Sequence, residues 1–217
     1  MKRKNTEGAT PYTCLNALRL GGTATRASAL VMGLGNLVHK QYLKGVIFLL
    51  TEIAYIWFMI QSGFYNLQML VTLGSVEQEE VWNEELQVYL YTQGDQSVLL
   101  LLYGVATILL TLIMFWIWRG TLKSAYRAEC FAKEGRHVNN FIEDIRSLFD
   151  ENIYRLLMTP SLFFITALTV LPLIFMICMA FTNYSRIDNH LVLFDWVGLA
   201  NFAALSDSNT VLGSTFW

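Results

Sequence analysis

Charged side chains are scarce in this chain of 217 residues. Asp, Glu, Lys and Arg together make up 15% of it, and hydrophobic residues make up 54%. A typical soluble domain is about 25% charged. This balance argues against an ordinary soluble protein and predicts a protein of the membrane class.

Motifs that carry chemistry are also missing. The three cysteines, Cys14, Cys130 and Cys178, are far apart in the sequence, without the spacing of a metal or redox site, so we expect reduced thiols. The sequence has no Walker-type phosphate loop, no HExxH and no GxSxG. We therefore expect no catalytic residues, no metal, no cofactor and no nucleic-acid partner, and any ATP hydrolysis would belong to another chain.

Three apolar runs are long enough to cross a bilayer, which takes about 20 residues of helix. They lie at about 43–61, 98–118 and 160–181. The second and third contain no charged residue. The composition and these runs predict an all-α membrane protein with three transmembrane helices.

Lysine and arginine are unevenly distributed between the segments that connect these runs. Seven lie in residues 1–44, none in 62–97, seven in 119–155 and one, Arg186, after the third run. The loop at 62–97 carries six acidic residues instead. Positively charged loops stay in the cytoplasm, so we expect the N-terminus inside and the C-terminal tail outside.

The same pattern suggests a division of the chain. We expect a cytoplasmic tail at 1–44, a transmembrane hairpin at 45–118 with an acidic external loop at 62–97, a cytoplasmic connector at 119–158, and a final segment at 159–217. Apolar residues recur at helical spacing in 27–42 and in 137–156. The first stretch predicts an amphipathic helix lying on the membrane surface, and the second predicts a helix whose apolar face lies on lipid, on the protein's own helices or on a partner.

Four residues inside or beside the spans stand out. Thr159 and Pro160 form a typical helix start, as N-cap and first helical residue. Pro172 lies within the third run, where it is expected to kink the helix. Glu52 is the only ionisable residue inside a span, which makes it a candidate intramembrane functional site. A structural bond to a neighbouring helix is the alternative.

The end of the third run carries a specific resemblance. The stretch "LFFITALTVLPLIFMICMAFTNYSR" is followed by "LFDWVGLANFAAL", and both resemble the opening of the core permease domain in sugar-importing ABC transporters. The earlier stretch "GLGNLVHKQYLKGVIFLLTEI" is similar to the N-terminal region of the larger permease subunit of the maltose/maltodextrin type. The resemblance covers most of the chain, and 1–25 and 66–96 match least.

The resemblance implies an incomplete type I ABC importer permease for maltose or malto-oligosaccharides in a bacterial cell membrane. It implies four kinds of partner: a second permease subunit, cytoplasmic ATP-binding subunits, an extracellular sugar-binding protein and membrane lipid. We expect the residues that bind the sugar and dock the ATPase to lie downstream of this chain, in a reading frame that continues past Trp217.

Four residues after the third run are candidates for contact with the external partner: Asn183, Tyr184, Trp196 and Asn201. A simpler interpretation is that Tyr184 and Trp196 anchor the membrane interface and Asn183 caps the helix. An alternative for the whole chain is a complete three-span scaffold or regulatory protein without transport activity.

Overall fold

A computed structural model describes residues 12–77, 79–92, 94–138, 141–150, 153–184 and 193–206. These residues are mostly helical, with one pair of short strands. The α-helices and strands are α1 (Cys14–Leu20), α2 (Thr23–Ala27), α3 (Leu34–Val38), α4 (Tyr42–Phe58), α5 (Phe64–Thr72), β1 (Glu80–Asn83), β2 (Val88–Tyr91), α6 (Ser97–Lys133), α7 (Phe141–Asp150), α8 (Ile153–Ile165), α9 (Leu171–Met179) and α10 (Ala200–Ser206).

Three helices among the described residues are long and apolar enough to cross a membrane, which confirms the three predicted spans. They are Tyr42–Thr72, Ser97–Lys133 and Leu157–Met179, of 31, 37 and 23 residues. The first two continue beyond the apolar runs seen in the sequence. A π segment, Met59–Gly63, joins α4 to α5, and α6 continues 15 residues past Trp118. In the structure, the segment that connects the first two spans begins at residue 73, after the end of α5.

The chain divides into two compact units. Unit 1 comprises Met1–Met59 and Thr111–Pro160, and unit 2 comprises Ile60–Leu110 and Ser161–Trp217. Unit 1 holds fourteen of the fifteen Lys and Arg residues and eight of the seventeen Asp and Glu residues, a formal charge of +6. Unit 2 holds one Lys or Arg residue and nine Asp and Glu residues, a formal charge of −8. The folding units thus follow the charge asymmetry of the sequence.

The single amphipathic helix expected at 27–42 is wrong. The chain forms two five-residue helices, α2 and α3, separated by a turn. Within this stretch Ser28, Met32 and Asn36 are buried, while Leu30 and Val38 are exposed. Tertiary hydrogen bonds and the glycines of this stretch override its helical periodicity.

Gly33 allows the turn between α2 and α3. Its φ of +84° lies in the left-handed region, which favours glycine. A Cβ there would also lie 2.4 Å from the carbonyl oxygen of Gly45, the fourth residue of α4. The two glycines therefore let the turn and the start of α4 pack backbone against backbone.

The Glu129 carboxylate fastens the N-terminal segment of unit 1 to α6. Its Oε1 and Oε2 each accept a hydrogen bond from the backbone N–H of Gly22 at 2.9 Å. The Thr25 hydroxyl donates to Oε2, and the Lys133 ammonium pairs with Oε1. Glu129 itself is only 5% exposed. A buried charge requires such partners, and here one acidic side chain satisfies the start of α2.

Unit 2 has its own apolar core. The buried residues Leu73, Leu101, Val105 and Phe194 pack together, with Ile174 and Phe175 of α9 against them. Phe194 therefore carries the segment that follows the third span back into this core. Its N–H also donates to the Ser97 hydroxyl, at 3.3 Å.

The acidic loop contains an antiparallel hairpin that the expectation of an all-α fold missed. Strands β1 and β2 pair Glu80 with Tyr91 through Asn83 with Val88. The Asn83 side-chain oxygen accepts hydrogen bonds from the N–H groups of Glu85 and Leu86, both at 3.0 Å, which forms the turn. Val, Trp and Tyr favour strands, but the six acidic residues of the loop mask this signal in the sequence.

The third span differs from prediction at Pro160 and contains a π segment just before Pro172. Pro160 does not begin a helix but lies inside α8, which starts at Ile153. Pro172 lies in the first turn of α9, directly after a π segment at Thr166–Val170. A proline ring clashes with the carbonyl four residues earlier, here that of Leu168. The widened π turn accommodates this clash, and the kink expected at Pro172 remains a prediction.

Only part of the second amphipathic stretch forms the expected helix. Helix α7 spans Phe141–Asp150. On its apolar side, Ile142 and Phe149 are 74% and 57% exposed. This face is therefore open to lipid or to a partner, two of the three coverings that the sequence allowed.

We expect the Glu129→Ala substitution to destabilise the protein by about 1–3 kcal/mol, because it leaves the Gly22 N–H and the Thr25 hydroxyl buried without this acceptor. Thermal unfolding of the purified protein in detergent measures this change. The matched control is Glu134→Ala, which removes a carboxylate that is paired with Arg136 at the surface and is worth about 0–1 kcal/mol. Equal effects of the two substitutions would contradict the role assigned to Glu129.

Candidate functional site

The segment after the third span folds back on itself within unit 2. Thr182 and Trp196 form an isolated antiparallel bridge. The Asn183 N–H donates to the Asp195 carbonyl oxygen at 3.1 Å, and the Asp195 N–H donates to Asn183 Oδ1 at 2.6 Å. The Val197 N–H donates to the Phe181 carbonyl oxygen at 2.9 Å. The two motifs quoted from the sequence are therefore one structure, which we call the exit cluster (residues 180–184 and 193–202).

Asn201 links α10 to the end of α9. Its Nδ2 donates to the carbonyl oxygens of Ala180 and Thr182, at 2.9 and 2.8 Å. The last carbonyl groups of a helix lack partners within the helix, and Asn201 supplies one. The sequence assigned helix capping to Asn183, but Asn183 holds Asp195 instead, and the cap comes from 21 residues away.

The side chains of the two aromatic candidates, Tyr184 and Trp196, are half-exposed, and each makes one contact with the rest of unit 2. Trp196 donates its indole N–H to the Leu70 carbonyl oxygen at 2.9 Å and remains 39% exposed. Tyr184 meets the buried Phe194 ring edge-to-face at 5.5 Å and remains 45% exposed. Both rings are therefore positioned from within and present an open face.

The exit cluster is held together by its own polar side chains. The structure brings the four predicted residues together, and both asparagine side chains bond to the backbone of the cluster itself. Tyr184 and Trp196 are among the exposed large side chains of the cluster, together with Leu199 and Phe202. Large aromatic surfaces of this kind are typical anchors in protein interfaces.

Glu52 lies in unit 1, away from the exit cluster in the sequence and in its contacts. Its Oε2 accepts a hydrogen bond from the N–H of Met32 at 2.8 Å, in the turn before α3. The residue borders an open recess of about 290 Å³ with Tyr55, Thr111 and Trp118. The Met32 contact is of the structural kind that the sequence left as the alternative to a functional site.

Sequence reasoning missed two polar residues, Asn36 and Asp95, whose side chains hold neighbouring segments together. Asn36 is fully buried and donates from Nδ2 to Gln41 Oε1 and Ser124 Oγ, at 2.7 and 2.9 Å. Asp95 accepts hydrogen bonds from the N–H groups of Ser75 and Val76 at the base of the acidic loop. The signal in the sequence that could have identified Asn36 is its position: it is a polar residue that comes after two glycines and before an apolar run.

Known proteins similar to this chain are permease proteins of sugar transport systems. A galactooligosaccharides transport system permease protein of Bacillus subtilis is 26% identical over 179 residues, which cover 81% of this chain and 38% of that protein. A maltodextrin transport system permease protein of Streptococcus pneumoniae is 27% identical over 193 residues, 86% of this chain and 40% of that protein. A maltodextrin transport system permease protein of B. subtilis is 25% identical over 178 residues, which cover 80% of this chain and 37% of that protein.

These relatives confirm the resemblance to sugar permeases and the assignment to the bacterial membrane. The chain spans about 40% of the length of the curated relatives that it matches. No family model matches the chain, and no solved structure matches it significantly.

We expect Asn201→Ala to destabilise unit 2 by about 1–2 kcal/mol, because two carbonyl oxygens lose their donor. Asn201→Asp keeps the size of the side chain but replaces the donor with an oxygen that faces two carbonyl oxygens. It should therefore be at least as damaging as the alanine variant. Thermal unfolding in detergent compares the two variants. An aspartate variant that is as stable as the unmodified protein would show that Asn201 does not act as a cap.

Proposed function

We propose that this chain provides membrane-spanning helices to a permease subunit of an ATP-binding-cassette importer for oligosaccharides. The observation that carries this proposal is the similarity of 80–86% of the chain to sugar permeases. The three apolar helices support it. In this proposal, a partner chain hydrolyses ATP and a second permease subunit completes the transport path.

We propose malto-oligosaccharides as the substrate. The basis is the N-terminal stretch at 33–53 and the maltodextrin permeases among the relatives. A galactooligosaccharide permease matches at nearly the same identity, so the substrate is chosen between two related sugar classes. An uptake experiment can separate them.

The proposed orientation places the N-terminus in the cytoplasm and the exit cluster outside. It is supported by the charge of the two units, +6 for unit 1 and −8 for unit 2. Because positive charge is retained in the cytoplasm, the ends of the spans that belong to unit 1 are the inner ends. This orientation gives the type I arrangement that the resemblance implies.

The exit cluster is proposed as a contact for an extracellular sugar-binding protein. The half-exposed rings of Tyr184 and Trp196 would form the contact surface, and Asn183 and Asn201 would hold the loop that carries them. The rings are anchored before any partner arrives, which lowers the entropy cost of binding.

Cysteine labelling tests the orientation. In a variant without the three native cysteines, Glu84→Cys in the hairpin turn should react with a membrane-impermeant maleimide in intact cells. Lys123→Cys, on the basic part of α6, should react only after the membrane is permeabilised. Both side chains are exposed in the structure. The opposite labelling pattern would reverse the orientation.

Sugar uptake tests the function. Cells that lack their own oligosaccharide importers and carry the full-length gene with its partner genes should accumulate labelled maltotriose. The double substitution Tyr184→Ala and Trp196→Ala should reduce this uptake severalfold at limiting sugar, since interface anchors of this kind are each worth about 2 kcal/mol or more. The matched control is Leu199→Ala, which truncates another exposed side chain of the cluster.

Three results would count against these assignments. Uptake of a galacto-oligosaccharide without maltotriose would replace the substrate, and no uptake of either sugar by a well-expressed protein would overturn the transport function. Normal uptake by the Tyr184/Trp196 variant would remove the role given to the exit cluster.

A further inference from the structure

An open recess in unit 1 lies between α1 and the part of α6 where its apolar run ends. Its volume is about 330 Å³, and Leu15, Leu18, Phe115, Arg119 and Lys123 contribute to its lining. Ligand pockets in proteins enclose about 300–1,000 Å³. The recess is therefore large enough for a charged group together with part of the apolar body that carries it.

Two cations form one side of the recess. Arg119 and Lys123 are four residues apart on α6, so their side chains lie on the same face of the helix. Both are exposed, and neither pairs with a carboxylate among the residues that the structure describes. Like charges at this spacing repel each other, and an anion bound by both side chains would offset this repulsion.

No acidic residue lines the recess among those that the structure describes. Farther along α6, the Glu129 carboxylate bonds to the Gly22 N–H and to the Lys133 ammonium. Just after α6, Glu134 pairs with the Arg136 Nε at 3.0 Å. The lining thus has two positive charges and no negative one, and an anion is the chemical class that complements it.

Much of the remaining lining is apolar and exposed. Leu15, Leu18 and Phe115 are 54%, 41% and 49% exposed. The Trp118 ring, which also lines the recess, stacks on Phe115 at 5.6 Å, and its indole N–H donates to the Ala29 carbonyl oxygen at 3.0 Å. A free inorganic anion would leave these apolar side chains uncovered. A phospholipid covers them, because it carries hydrocarbon next to its phosphate group.

The position of the recess along α6 matches the lipid headgroups. Phe115 and Trp118 belong to the apolar run that ends at Trp118, and Arg119 is the next residue. In a membrane-spanning helix, this change marks the end of the hydrocarbon core, where tryptophan is enriched. The Arg119 guanidinium carbon lies 6.0 Å from the centroid of the Phe115 ring, so this cation adjoins the apolar side of the recess. Basic pockets at this level bind the headgroups of anionic lipids.

We propose that this recess binds an anionic membrane phospholipid such as phosphatidylglycerol. Arg119 and Lys123 bind the phosphate group, and Thr13, which also lines the recess, offers a hydroxyl group to it. The two leucines of α1 contact the adjoining hydrocarbon. Such a lipid would bridge α1 and α6. The proposal concerns unit 1 alone and depends neither on the transported sugar nor on the proposed orientation.

The test measures lipid binding by the purified protein in neutral detergent, using native mass spectrometry with short-chain phosphatidylglycerol. The double variant Arg119→Gln, Lys123→Gln should bind about 20- to 30-fold more weakly, since each cation near an anionic headgroup contributes about fivefold. The matched control, Arg19→Gln with Lys40→Gln, also removes one arginine and one lysine. Both of these side chains are exposed and do not line the recess, so the control should bind like the unmodified protein.

Two further arms separate a lipid from a free anion. The variant Leu15→Gln, Leu18→Gln keeps both cations but removes apolar lining, so it should weaken binding of phosphatidylglycerol severalfold. Inorganic phosphate at millimolar concentration should not displace the lipid. Displacement by phosphate, together with unchanged lipid binding by the leucine variant, would overturn the lipid and assign the recess to a free anion.

The comparison of the cation variants decides whether the recess is a site. Equal weakening in the double variant and in its matched control would reduce the effect to nonspecific charge and overturn the proposal. If the double variant does not fold, the single variant Lys123→Gln, which changes an exposed side chain, should still bind about fivefold more weakly. Unchanged binding by this single variant would remove Lys123 from the site and contradict the proposal.

Discussion

The buried carboxylate of Glu129 is the interaction on which unit 1 depends. Short helices such as α1, α2 and α3 leave many backbone N–H and carbonyl groups without partners inside the helix. Glu129 satisfies the start of α2, Glu52 satisfies the N–H of Met32, and the Trp118 indole donates to the carbonyl oxygen of Ala29. In each case a side chain of a long helix bonds to the backbone of the N-terminal segment. These bonds attach the segment to α4 and α6.

The exit cluster in unit 2 follows the same logic. Asn201 bonds to the carbonyl groups after α9, and Trp196 bonds to that of Leu70. These bonds return the chain to the unit 2 core after the third span and leave two aromatic rings half-exposed. A structural role for the asparagines and a recognition role for the rings are therefore compatible. The sequence had treated these roles as alternatives for the same four residues.

A permease function agrees with the relatives of the chain, with its apolar spans and with its charge distribution. The relatives are sugar permeases, and the spans are those of a membrane protein. The charge separation of the two units gives a physical reason for the proposed orientation. The transported sugar and the extracellular partner are proposals, based on similarity and on exposed surface, and uptake measurements test them.

Much of this protein follows from its sequence alone. Length and apolarity determined the three spans, and the placement of Lys and Arg determined the proposed orientation, because both depend on composition averaged over many residues. The two motifs after the third span also identified the residues of the exit cluster. Tertiary structure decided the rest: the burial of Asn36, the cap from Asn201 and the partners of Glu129. These depend on single contacts between residues up to 107 positions apart, and local periodicity carries no information about them.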